Sequence, residues 1–155
     1  MVIKGFDEDW KALVARGAES MGLSLDDAWL DNLAFHGAEL IKWNKKFNIT
    51  AITDPHEVAV KHFVDSLALV PFVPRGSTLI DVGSGGGFPG LPLKVCSTDV
   101  HVVMVDASRK KISFINHVIR MLGLTHAEGI HSRVEDLGKD PAFTGGFDVV
   151  VSRAF

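Results

Sequence analysis

The 155-residue chain has no tyrosine and a single cysteine, Cys96, and none of its apolar runs approaches the roughly 20 residues that a membrane-spanning helix needs. One cysteine excludes an internal disulfide and argues against a thiolate metal site, which leaves Cys96 as a small apolar residue of the core. The seven histidines are scattered and form no H-x-x-x-H pair, so no metal is expected. The start, Met1 to Glu8, has no apolar stretch of the signal-peptide kind, and the expected compartment is the cytoplasm. Internal repeats and low-complexity tracts are also missing. A net charge of −3 argues against attraction of the whole molecule to nucleic acid, although an acidic protein can still carry a basic face.

What is present is ample apolar material, 46% of residues, enough for one core in a chain of this length. The first part reads as helical. Trp10, Leu13, Val14, Ala18 and Met21 recur at helical spacing and Gly22 stops them. Ser24 with Asp27 makes a capping-box start for a second helix, with a stripe of Leu30, Leu33, Ala34, Gly37, Leu40 and Ile41 that runs to about Lys46. Asp54, Pro55 and Glu57 begin a third helix that is expected to reach about Val70.

From Ser77 the period changes. Thr78 to Val82, His101 to Asp106, Ala127 to His131 and Phe147 to Ser152 read as strands separated by helices, the clearest being the helix of Ile112, Ile115, Val118, Ile119 and Leu122 that ends at Gly123. Strands alternating with helices predict an α/β fold with a doubly wound, mostly parallel sheet, Rossmann-like, behind an N-terminal helical extension. The expected division is residues 1–75 as a helical cap packed on the domain and 76–155 as the cofactor-binding domain. Because the fourth strand would end almost at Phe155, the domain is expected to be truncated at its C-terminus.

Five glycines fall within the eight residues Gly83 to Gly90, directly after the first strand and Asp81. Glycine there lets a ligand approach the backbone, so the cluster predicts a nucleotide-type site. The dinucleotide fingerprint fits imperfectly. Counted from Gly83 its third glycine is Phe88, and counted from Gly85 the triplet is Gly85, Gly87 and Gly90 with Pro89 intervening. An acid in the pattern Asp81-x-Gly83-x-Gly85 suits the ammonium of S-adenosylmethionine better than a diphosphate. Asp106 ends the second strand about 20 residues on, where an acid accepts hydrogen bonds from ribose hydroxyls in either cofactor class. After the third strand, the segment Ser132 to Asp136 offers an apolar residue and a carboxyl or backbone group to flank an adenine. Two basic clusters, Lys42 to Phe47 and Arg109-Lys110-Lys111, read either as solvated helix faces or as phosphate contacts.

The segment Asp81 to Leu93, then Val105-Asp106 with Lys110-Lys111, Arg133-Val134-Glu135 and Phe147 to Phe155 together resemble the RsmG family, formerly called glucose-inhibited division protein B. Asn48-Ile49-Thr50 and His62 to Leu67 are similar to further signatures of that family. The resemblance implies a class I methyltransferase that uses S-adenosyl-L-methionine to modify N7 of one guanine in 16S ribosomal RNA of the small subunit. It also implies cofactor contacts at Gly83, Phe88, Val134, Glu135 and Arg153. The partner is then 16S rRNA, with no membrane, and the chain is expected to be a monomer.

N7 of guanine presents a free lone pair and the sulfonium is an activated leaving group, so no general base is required. Arg153, Phe155 and His62 are the substrate-side candidates. Arg153 offers a planar cation for the cofactor, a phosphate or a base edge, while Phe88 or Phe155 offers a stacking face. His62, beside Asp65 and Ser66, reads chiefly as a structural hydrogen-bonding residue. Two other readings stand beside this one. A nicotinamide-dependent oxidoreductase would lack a tyrosine proton relay, and a cofactor-binding fragment without catalysis would follow from truncation.

Replacing Gly83 with Val is expected to abolish cofactor binding by filling the approach space. Calorimetry on the variant checks this, and retained affinity would show that the loop does not hold the ligand.

Overall fold

The computed structural model describes residues 4–153. Its N-terminal half is three helices. Helix α1, Glu8–Glu19, starts where the Asp7 side chain accepts from the Trp10 amide at 3.1 Å, and buries Trp10, Val14 and Ala18 one turn apart. It ends where the Leu23 amide reaches back to the Ala18 carbonyl at 2.9 Å, a closure that needs the left-handed Gly22 at φ 80°. Helix α2, Asp27–Phe47, is capped by Asp26, whose carboxylate accepts from the Trp29 amide at 2.7 Å. The Ser24 capping box gives way to this stronger, charged cap two residues on.

The third helix, α3, is composite: Pro55–Glu57 in α form, Val58–Val64 in the wider π form, and Asp65–Leu67 again in α form. It stops short of Val70, which opens a separate 3₁₀ turn, Val70–Phe72. The π stretch holds both His62 and Phe63 buried, one residue apart.

Beyond Ser77 the chain alternates β1 (Thr78–Val82), α4 (Gly90–Cys96), β2 (His101–Asp106), α5 (Arg109–Leu122), β3 (Ala127–His131), the single turn α6 (Val134–Leu137) and β4 (Val149–Ser152). All strand pairs are parallel, in the order β3-β2-β1-β4. The chain winds outward from β1 through β2 to β3 and returns to the other side of β1, which makes the carboxyl end of β1 the switch point where such sheets bind ligands. Thr78 aligns with His101 and Leu79 with Val149.

The two faces of the sheet are covered unequally. One continuous core joins Trp10, Val14, Leu33, Leu40 and Phe63 of the helical half to Leu79, Val102, Met104, Phe114 and Ile115, so the boundary near residue 75 is crossed by shared packing. The other face carries a small cluster of Ile80, Val103, Val105 and Leu137, and Val150 on the outer strand β4 is 67% exposed. Polar ties reinforce the larger core. The Trp10 indole donates to the Pro55 carbonyl at 2.9 Å, and Glu39 on α2 accepts from His117 on α5 at 2.7 Å.

Gly17 sets the approach of α1 to α3. A Cβ built there would lie 2.6 Å from a methyl of Val64, a β-branched side chain with little rotamer freedom in a helix. Gly17→Ala is expected to destabilise the fold by about 1 to 2 kcal/mol net, because overpacking outweighs the roughly 1 kcal/mol gain in helix propensity. Gly145, exposed with open space around its Cβ position, serves as control, and Gly145→Ala is expected to change stability by less than about 0.5 kcal/mol. Denaturant titration of both variants measures the difference.

Candidate functional site

The site begins with a carboxylate that has lost its water. Asp81, on central strand β1, is fully buried; its Oδ2 accepts from the Ser84 hydroxyl at 2.6 Å and the Gly90 amide at 2.9 Å, and its Oδ1 has no partner. Burial raises its pKa from 3.8 to about 7, against the opposing pull of those two hydrogen bonds. The carboxylate thus pins the first residues of the glycine loop to the start of α4. A Cβ at Gly90 would meet Met104 and the same carboxylate oxygen at 2.6 to 2.8 Å, so only glycine fits there. The loop is further held where the Gly83 and Ser84 amides donate to the Val105 carbonyl at 2.8 and 3.0 Å.

Gly83, Gly85 and Gly87 take left-handed conformations, at φ 72°, 59° and 92°. At Gly85 a Cβ would point into open space, whereas at Gly87 it would strike Leu91. Gly83 and Gly85 are half-buried, while Ser84 between them is buried. There Asp106, at the end of β2, receives the Gly85 amide on Oδ2 at 2.9 Å and the Ser108 amide on Oδ1 at 2.8 Å.

Two adjoining clefts share Gly83 and Asp106 as common walls. The first, of about 270 Å³, lies over β1, β2 and β3 between Val82, Val105, Ala107 and the segment Ser132 to Glu135. The second, of about 200 Å³, is walled by the glycine loop, Thr50, His62, Lys111 and Arg153. The first is mainly apolar, with Asp106, Arg133 and Glu135 among its lining residues. The second is cationic and rich in donors.

The helical half contributes Ile49, Thr50 and His62 to the second cleft and buttresses the glycine loop. His36, fully buried on α2, hydrogen-bonds the Gly86 carbonyl through Nε2 at 2.8 Å, and its ring stacks on Phe88 at 4.6 Å. On the other face of Phe88 lies His62, 4.4 Å away and nearly parallel. Burial pushes both histidines down to about 4; for His62 the adjacent Arg153 charge adds to the effect. Arg153 donates to His62 Nδ1 at 2.6 Å and to the Lys61 carbonyl at 2.8 Å, and lies 3.4 Å from Asp65. A guanidinium has no acceptor, so Nδ1 is unprotonated and the ring hydrogen sits on Nε2, which donates to Thr50 Oγ1 at 3.0 Å. Thr50 Oγ1 also accepts from the Ile52 amide at 3.1 Å, leaving the hydroxyl hydrogen free to donate into the cleft.

The sequence-predicted residues therefore divide. Gly83, Gly85, Asp106, Val134, Glu135, His62 and Arg153 line the clefts. Asp81 is buried beside the loop, is not part of the lining of either cleft, and holds Ser84 and Gly90. Phe88 also lines the second cleft, with His36 and His62 stacked on its ring and the Arg153 guanidinium 5.4 Å from its centroid. Arg153 directs its donors at α3, so its first task is to tie the end of β4 to the helical half. Phe155 lies outside the described residues. His36 and Thr50 were missed. The available signal for His36 was a polar residue on the apolar stripe of α2, and for Thr50 it was only its place in a motif.

Charge in this cluster couples folding to pH. Between pH 6.5 and about 4 the unfolded chain protonates two histidines that stay neutral in the fold, while folded Asp81 keeps a proton that the unfolded carboxylate has lost. The histidine contribution is fully present above 6.5 and is lost as pH falls towards 4; that of Asp81 runs the other way and is lost as pH rises through about 7. The unfolded chain thus binds about one proton more, and stability is expected to rise with pH across this window and to fall on acidification. Asp81→Asn, which keeps both accepted hydrogen bonds, is expected to raise that difference to about two protons and steepen the fall. Denaturant titrations at pH 5, 6 and 7 check it; equal slopes in both proteins would reject the assignment.

Comparison with known proteins places this geometry. The profile of the family GidB, rRNA small subunit methyltransferase G, matches residues 31–155. The ribosomal RNA small subunit methyltransferase G of Geotalea uraniireducens is 49% identical over 96% of this chain and 67% of its own length. That of Geobacter metallireducens is 48% identical over the same shares, and that of Desulfitobacterium hafniense is 41% identical over 88% of this chain and 56% of its own. The chain spans about two thirds of the length of the first two and less of the third. Among solved structures, a protein-L-isoaspartate O-methyltransferase from Plasmodium falciparum in complex with S-adenosyl-L-homocysteine superposes with a TM-score of 0.56 at 20% identity. That match covers 92% of this chain and 72% of the other, a likeness of fold. With its parallel sheet, its glycine loop and these relatives, the chain belongs to the rRNA small subunit methyltransferase G family.

Proposed function

We propose that the chain binds S-adenosyl-L-methionine across the two clefts and transfers its methyl group to N7 of a guanine in 16S ribosomal RNA of the small subunit. The observation that carries this reading is the pair of clefts that meet at Gly83 and Asp106, one mainly apolar and lined by Val134 and Glu135, the other lined by Thr50, Lys111 and Arg153. The donor set fits such a cofactor. Asp106 retains lone pairs to accept from ribose hydroxyls, although both its oxygens already hold a backbone amide. Val134 supplies an apolar wall and Glu135 an acceptor at the adenosine end. Gly85 leaves space along the backbone, and the Thr50 hydroxyl and Lys111 supply a donor and a cation for a carboxylate.

When bound, the cofactor supplies a methyl group already activated on a sulfonium. This chain's residues then position and exclude, and none of them abstracts a proton. His62 is unsuited to act as a base, since its basic nitrogen Nδ1 is occupied by Arg153 and its pKa lies near 4. Its task is to fix Thr50 and the face of Phe88. Pre-set geometry of this kind lowers the barrier by orienting the reactants before reaction. Among the described residues no group of three or more His, Cys, Asp or Glu is placed to hold a metal, and no helix is long and apolar enough to cross a membrane.

Thermal unfolding with S-adenosylhomocysteine or NAD tests the cofactor. The former at 100 times its Kd is expected to add about 2.7 kcal/mol, and NAD nothing. A shift with NAD alone would overturn the reading in favour of an oxidoreductase. Label transferred from methyl-labelled cofactor to N7 of guanine in unmodified small subunits tests the chemistry.

A further inference from the structure

Two basic segments far apart in sequence meet at one ring. Lys46, in the last turn of α2, and Lys110, in the first turn of α5, each place an ammonium 5.6 Å from the centroid of Phe47. The two charges are therefore no more than twice that distance apart. Lys45 and Arg109 flank them, exposed, and Lys111 continues the row into the wall of the second cleft. Among the described residues none of these five cations has a carboxylate within 4.0 Å, whereas Lys11, Lys42 and Lys61 elsewhere on the helices are paired.

Gathering unpaired like charges is unfavourable for the isolated fold, and Lys110 sits at a helix N-terminus, where the macrodipole already disfavours a cation. The molecule as a whole is acidic, at −3, and the opposite end of α2 carries Asp26, Asp27 and Asp31, so the charge is segregated. A polyanion meeting the C-terminal end of α2 relieves the repulsion. An aromatic ring beside two cations suits a nucleic acid strand, which offers both phosphates and base faces.

We propose that the ridge of Lys46, Phe47 and Lys110, joined to the cleft by Lys111, is the docking surface for phosphates of the RNA strand that carries the target base. This rests on the RNA reading above and gives it a location. Contacts to phosphate position a strand without reading its sequence. The ridge therefore sets affinity, and the choice of base is left to the cleft.

The test is binding of the full chain to 16S ribosomal RNA at several potassium chloride concentrations. Wild type is compared with Lys46→Glu/Lys110→Glu and with a control, Lys139→Glu, on the exposed stretch after α6. Loss of two phosphate contacts is expected to weaken binding by about tenfold or more and to flatten the log–log salt slope by about 1.4 for a single strand. The control is expected to bind as wild type. Unchanged affinity and slope in the double variant, or an equal loss in Lys139→Glu, would overturn the ridge. Both variants are expected to keep wild-type affinity for S-adenosylhomocysteine in calorimetry. Failure of the methyltransferase reading shows separately, as absence of that binding in the wild-type chain.

Discussion

Asp81 is held away from water on the central strand with one oxygen committed to Ser84 and Gly90 and the other to nothing. An unpaired carboxylate oxygen in the interior is costly, and here the burden falls on the segment that must present bare backbone to a ligand. Because the same oxygen holds both ends of the glycine loop, the left-handed turns between them have few alternatives. The course of the Gly83 to Gly85 segment, the position of Asp106 beside it and the division into two clefts all follow from that anchoring.

The helical half is part of the site, and it does more than cover the sheet. His36 reaches from α2 to the loop carbonyl, and Phe88 is held between two neutral histidines. Arg153 bridges from the end of β4 to α3, where Lys61, His62 and Asp65 receive it. The polarity of these contacts is directional. One guanidinium fixes one imidazole tautomer, which in turn fixes one hydroxyl, so the donor offered at Thr50 is set by a residue at the far end of the chain.

Much of the fold was legible beforehand because local signals agreed. The period changed from helical to alternating near Ser77, Asp54 and Pro55 announced α3, and Gly123 closed α5. Errors came where two local choices competed. Asp26 displaced the Ser24 cap because a carboxylate is the stronger acceptor, and α3 ended at Leu67 with a π interior that no apolar spacing foretells. At the site, Gly83, Asp106 and Glu135 were readable because each follows a strand end, where parallel sheets expose their loops. His36 was not, because its place on the apolar stripe of α2 signals burial but not its distant partner, the Gly86 carbonyl.

The sequence by itself determined the kind of site: an acid and clustered glycines after a strand, acids after the next two strands, and motifs resembling one family. These are properties of residue type and spacing, which a chain carries without folding. Tertiary structure decided which groups face a ligand. It turned Asp81 inward, stacked His36 and His62 on Phe88, spent Arg153 on α3 and brought Lys46 and Lys110 to the same ring. Direction and partnership depend on packing between segments dozens of residues apart, and no local pattern encodes which side of a residue its distant neighbour will occupy.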